Sequence, residues 1–199
     1  PAVSIDVSGN ILFGVASTPS GTVGGAAFTP SSNGRMNLLC AVTSTSDSSL
    51  IVFHNPNDVV GSIRTADSAT TYSTSSDYRL KENEVLISDG IDRIKQLKPY
   101  KFNFKVNPDK IVDGFFAHEV SGIVPEAISG EKDAMIPEVL YTADDELPEG
   151  KNIGDIKEAT KIDGQGIDQS KLVPLLTSAL QESITKIETL EAKVTALEG

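Results

Sequence analysis

Two kinds of hydrophobic pattern divide the chain. Up to about residue 75, short apolar runs stand between turn residues. "NILFGVA", "MNLLCAV" and "SLIVFHN" have the β-branched and aromatic content of strands, and "TPSGT", "TPSSNG", "TSDSS" and "NPND" read as the turns between them. Strands so few and short bury little on their own, so this half is expected to gain stability by sharing a core with other chains. Beyond residue 76 the pattern is mixed. In "SDGIDRIKQLKP", Ile91, Ile94 and Leu97 recur at helical spacing, with Ser88 or Asp89 as N-cap and Pro99 past the end. "YKFNFKV" alternates Tyr100, Phe102, Phe104 and Val106 on one face of a strand. "GFFAHEVSGIVPEAI" predicts a buried strand followed by a short helix that Pro125 closes or interrupts. Residues 137–160 are acidic and weakly periodic, which predicts an extended arm or loop, with disorder as the alternative.

The last segment, 171–198, carries the clearest period. With Val173, Leu180, Ile187 and Val194 at heptad position a, position d holds Leu176, Ser183, Leu190 and Leu197. Only Ser183 is polar, which predicts a coiled coil or bundle helix. Lys186 and Lys193 at g precede Glu191 and Glu198 at e, the pairing a parallel coil makes between chains. An amphipathic helix docked on its own domain is the alternative. Leu180 and Ser183 break the two-stranded rule, so the helix leaves the number of chains open.

Charge sharpens the division. Residues 1–75 hold six charged side chains (Asp6, Arg35, Asp47, Asp58, Arg64, Asp67); the rest of the 17 basic and 28 acidic groups follow. That step places a domain boundary near residues 75–76. A net charge of -11 speaks against nucleic acid or an anionic membrane as partner. No apolar run has membrane-spanning length, and the start at Pro1 reads as that of a fragment. Cys40, the single cysteine, sits among Leu38, Leu39, Ala41 and Val42 and is expected to be a buried strand residue rather than a reactive thiol. His54, His118 and Cys40 have no zinc-site spacing, so no metal and no cofactor are expected.

The seam itself reads "SSDYRLKENE". A serine becomes a nucleophile when a base takes its proton, and a neutral lysine can be that base. Ser76 and Lys81 are such a pair, with Arg79 as a neighbouring cation to favour the neutral amine. Five extended residues span roughly 16 Å, and five helical positions turn through about 500°. The pair therefore meets only if the chain bends between them, or if the lysine comes from another protomer. Two S-x-x-K matches, Ser129 with Lys132 and Ser183 with Lys186, lack the partner motifs of penicillin-recognising enzymes and are read as chance. "GTVGGAA" is not a phosphate loop, because no Lys-Ser/Thr follows it.

"SSDYRLKENE", "GIDRIKQLKPYKFNFK", "GFFAHEVSGIVPEAISG" and "GQGIDQSKLVPLLTSALQE" together resemble the C-terminal intramolecular chaperone of phage endosialidases, tail fibres and neck appendages, over about residues 76–130 and 163–190. The stretch before them resembles the end of a tail-fibre shaft. The resemblance implies an α+β fold in an intertwined homotrimer. Residues 1–75 would be a β-rich, triple β-helix-like shaft end, and 76–199 a chaperone domain that cuts itself free. It implies Ser76 as nucleophile and Lys81 as base, with the cut beside Ser76 among Ser75, Ser76 and Asp77. Arg79, Glu82, Asn83 and His118 are possible supporting residues, and a structural hydrogen bond is the alternative for His118. The partners implied are two further copies of the chain and its own upstream shaft, with no nucleic acid and no membrane. Folding would take place in the host cytoplasm, the shaft ending in the virion tail and the chaperone being released. The 137–160 insertion is expected to embrace the shaft. A fibre cap that trimerises without cutting is the rival reading; a relative that frees a DNA-binding segment is disfavoured by the neutral first half.

Overall fold

The computed structural model describes residues 3–31 and 34–198, and falls into two compact units, 1–84 and 85–199. The first is built mainly of strands. β1 (Val3–Ile5), β2 (Ile11–Phe13), β3 (Gly25–Pro30) and β4 (Met36–Ala41) form an antiparallel meander in that order. β5 (Ser48–Asn55), β6 (Asp58–Ala66) and β7 (Ala69–Thr74) form a second. The three apolar runs supply β2, β4 and β5. The other four strands are additional to the sequence reading, which missed β3 because Gly, Ala and Pro dilute its apolar signal, β6 because Asp, Gly, Ser, Arg and Thr interrupt its Val and Ile, and β7 because Ser and Thr dominate it. The "NPND" turn closes the β5–β6 hairpin: the Asn57 amide donates to Asn55 Oδ1 at 2.8 Å and Asp58 takes a φ of +80°. "TPSSNG" lies partly outside the described residues, and its Thr29 and Pro30 end β3.

This unit buries little. Leu12 and Ala27 are its fully buried apolar side chains among the described residues, while Ile5, Leu38, Phe53 and Tyr72 are exposed. Cys40 is a strand residue as expected, in β4 opposite Ala26, but it is half-buried instead of buried.

The second unit begins with α1 (Gly90–Ile94), then the hairpin β8 (Tyr100–Phe104) and β9 (Asn107–Gly114), then α2 (Ala117–Val120). Three sequence expectations are corrected here. Val106 is not a strand residue: it sits at the β8–β9 turn, 94% exposed. The strand before α2 ends at Gly114, so Phe115 and Phe116 follow it in irregular backbone, and most of β9 is exposed. Pro125 opens a 3₁₀ turn, Pro125–Ala127, instead of closing a helix, since proline at a first position gives up an N–H that would be unpaired anyway.

The 137–160 insertion is ordered as part of a long antiparallel arm. β10 (Ile128–Ser129) pairs with β15 (Gly166–Ile167), β11 (Met135–Ile136) with β14 (Lys161–Ile162), and β12 (Val139–Leu140) with β13 (Ile156–Glu158). Asp145 knits the tip: Lys157 and the Thr142 amide and hydroxyl donate to it and lower its carboxyl to about 2. Along the arm Met135, Ile153, Ile156 and Ile162 are at least half exposed.

α3 (Leu172–Glu198) completes the unit and shows two faces. Leu172 and Leu175 enter a core with Val120, Val124 and Ala127, flanked by Ile94, Leu97 and Ile167. Val173, Leu176, Leu180, Ile187, Leu190, Val194 and Leu197, the apolar a and d positions, are all at least 51% exposed. A short face therefore docks on its own domain, as the second helix reading expects, and the heptad seam is open in the single chain.

Neither Ser88 nor Asp89 caps α1 in the way expected. Asp89 occupies the cap position, but its side chain makes no cap hydrogen bond. The cap comes from α3 instead, where Glu182 accepts from the amides of Gly90 (2.6 Å) and Ile91 (3.4 Å). Burial pushes the Glu182 carboxyl up, but those amides, Ser178 and Lys186 outweigh it and hold it below the usual glutamate value. A depressed carboxylate stabilises the fold above its unfolded value, and that contribution disappears as pH falls through the folded one. Glu182→Gln is thus expected to be less stable near neutrality and less sensitive to acid below about pH 5, read from urea midpoints at several pH values.

Candidate functional site

β7 delivers the seam. Its register with β6 runs to Thr74, and the Ser75 amide extends the ladder by donating to Val60 O at 3.1 Å. Ser76 is the next residue, just off the sheet. Asp77 has extended backbone (φ −64°, ψ 131°) and starts a 3₁₀ turn, Tyr78–Leu80. Leu80 N donates to Asp77 O and Lys81 N to Tyr78 O, each at 3.1 Å. This tight turn takes up the length that an extended chain would put between the two residues. Lys81 Nζ donates to Ser76 Oγ at 2.7 Å.

The bend therefore exists within one chain, with no lysine from another protomer. That distance serves either direction of the hydrogen bond. An ammonium donates to the hydroxyl; a neutral amine accepts from it, and only the second arrangement makes the serine a nucleophile. Ser76 and Lys81 are both exposed in the single chain, as are Tyr78 (82%) and Leu80 (75%).

Arg79, the cation expected beside the lysine, is ion-paired with another partner in the single chain. Its guanidinium is committed to Asp77, with Nε 3.0 Å from Oδ1 and Nη2 2.6 Å from Oδ2. The paired charges offset each other, and the Asp77 carboxyl is held below its usual range by the Arg79 side chain and amide. Glu82 is exposed and takes part in no described hydrogen bond or ion pair. Asn83 adopts φ +56°, a left-handed conformation that asparagine tolerates better than most residues.

His118 lies in the second unit, on α2. Its ring stacks on Phe116 with centroids 6.1 Å apart, and it lines a cleft of about 930 Å³ with Phe102, Phe104, Met135 and Ile162. The structural hydrogen bond foreseen for the imidazole is not among those described; the ring contact takes its place. The neighbouring Glu119 is better connected, accepting from Lys98 Nζ (2.9 Å) and Tyr100 Oη (3.3 Å). Ser129 and Lys132 do not meet as a pair, since Lys132 is engaged by Asp133; Ser183 donates to Ala179 O. Among the described residues no cluster of three or more His, Cys, Asp or Glu could hold a metal ion, and no helix is long and apolar enough to cross a membrane.

The turn with its serine and lysine opens the segment that comparison picks out. Residues 76–129 match the family described as chaperone of endosialidase. It is a peptidase family, and the match begins at Ser76. No curated protein matches the chain. The matched segment covers the Ser76–Lys81 turn, α1, the β8–β9 hairpin, α2 and the first strand of the arm.

The residues that sequence reasoning missed are Asp77 in its capping role and Glu182. Asp77 is legible in retrospect as Asx followed two residues later by a donor amide. Glu182 has no local signal, because the amides it caps are about ninety residues away in sequence.

Proposed function

We propose that the chain is the end of a phage fibre or tailspike joined to an intramolecular chaperone that associates as a homotrimer and then cuts itself free beside Ser76. The observation that carries the reading is the 2.7 Å contact of Lys81 Nζ with Ser76 Oγ at the first residues of a segment matching a peptidase family described as a chaperone.

Lys81 takes the Ser76 proton, and Oγ attacks the Ser75 carbonyl carbon. The C–N bond breaks as the nitrogen takes a proton, leaving an ester on Ser76 that water hydrolyses. A lysine works as a base only when neutral, and burial favours the neutral amine. In the single chain the pair is in water, so association supplies the burial. The exposed Tyr78 and Leu80 offer apolar surface beside the pair for neighbouring chains to cover. The open heptad seam of α3 and the apolar residues of the arm offer more. Cutting then follows assembly and reports on it. Loss of the chaperone leaves the fibre kinetically trapped, because the template for refolding is gone.

The test sets wild type beside Ser76→Ala. The variant is expected to stay whole and to give three copies by native mass spectrometry, while wild type divides at the seam. If the two behave alike, both whole in the same oligomer, the chain is a trimerisation cap that cuts nothing.

A further inference from the structure

We infer that Asp77 is the positioning residue of the Ser76–Lys81 pair: its carboxylate locks the 3₁₀ turn that carries the lysine back to the serine. The inference rests on the self-cleavage reading.

The turn Tyr78–Leu80 has no buried residue, so packing does not hold it in the single chain. Its two backbone hydrogen bonds are a small return for fixing the dihedrals of an exposed three-residue segment. What is added is one carboxylate. Asp77 Oδ1 accepts from the Arg79 amide at 2.9 Å and from Arg79 Nε at 3.0 Å, and Oδ2 accepts from Nη2 at 2.6 Å. The amide bond is the cap that starts the turn; the two guanidinium bonds grip the same turn from outside.

Without the cap the segment between Ser76 and Lys81 is free to extend, and an extended segment carries Nζ away from Oγ. The guanidinium has a second consequence. It offsets the Asp77 charge, which would otherwise favour the protonated ammonium of a lysine four residues away, the form that cannot act as a base. Asp77 touches neither reacting atom through its side chain, so it acts through Lys81.

The experiment follows cleavage of the full chain after refolding, with subunit number checked by native mass. Asp77→Ala is expected to assemble normally and to cut about tenfold or more slowly, as misplaced catalytic groups do. Asp77→Asn, whose amide oxygen still accepts from the Arg79 N–H, is expected to recover most of the rate. In the uncut Ser76→Ala background, Asp77→Ala is expected to speed hydrogen exchange at the Arg79 and Lys81 amides, and Asp77→Asn to do so much less. Wild-type cutting by Asp77→Ala overturns the inference while leaving self-cleavage intact. So does equal slowing by Ala and Asn, which would point to charge instead of the turn. A wild type that never cuts removes the self-cleavage reading, and the exchange rates then decide alone whether Asp77 holds the turn.

Discussion

Lys81→Arg is expected to give an assembled chain that stays uncut. Arginine keeps the positive charge, has a similar reach and can donate to Ser76 Oγ, so a purely electrostatic or structural role for the lysine would survive. It cannot shed its proton in a protein, and a group that is always protonated cannot take one from serine. Removing a general base typically costs about 10²–10⁴-fold in rate. Lys81 is exposed and outside the apolar core, so the variant should fold and associate like wild type. The uncut fraction after refolding, by mass in denaturant, is the readout. Cutting at the wild-type rate would mean that another group takes the proton.

Gly90→Val is expected to separate α1 from α3 and destabilise the second unit by about 3 kcal/mol or more. The cause is contact, not backbone freedom. A Cβ on Gly90 would lie 2.5 Å from Ala179 N, 2.8 Å from Ser178 Oγ and 2.9 Å from Ala179 Cα, two of them backbone atoms that cannot swing aside. The same approach brings the Gly90 amide to Glu182, so the substitution also disturbs the cap that α1 draws from α3. Gly122→Ala is the control, because a Cβ there meets nothing within 4 Å. A urea midpoint for Gly90→Val close to that of the control would show that α1 and α3 do not pack this tightly.

Residues with a periodic signal were the legible part of this chain. The heptads of α3, the alternation of Tyr100, Phe102 and Phe104, and the apolar runs of β2, β4 and β5 all state their elements locally. The serine and lysine of the site were legible as types, but not their meeting, because spacing alone argues against it. The 3₁₀ turn that joins them depends on one Asx cap. Long-range contacts left no trace in the pattern: Glu182 capping α1 joins residues about ninety positions apart, and the arm pairs strands of two or three residues, too short to show a period. Arg79 shows the same limit of local reading. Nearness in sequence to Lys81 suggested an influence on the amine, but the guanidinium pairs with the closer and opposite charge of Asp77.

The most direct measurement is the mass of every species in refolded wild type, quenched in denaturant over time. The account predicts that the full-length chain decays into two pieces whose masses meet beside Ser76, the amino-terminal piece ending at Ser75, once the oligomer has formed. A folded oligomer whose chains all remain at full length would contradict it, and so would pieces that meet anywhere else.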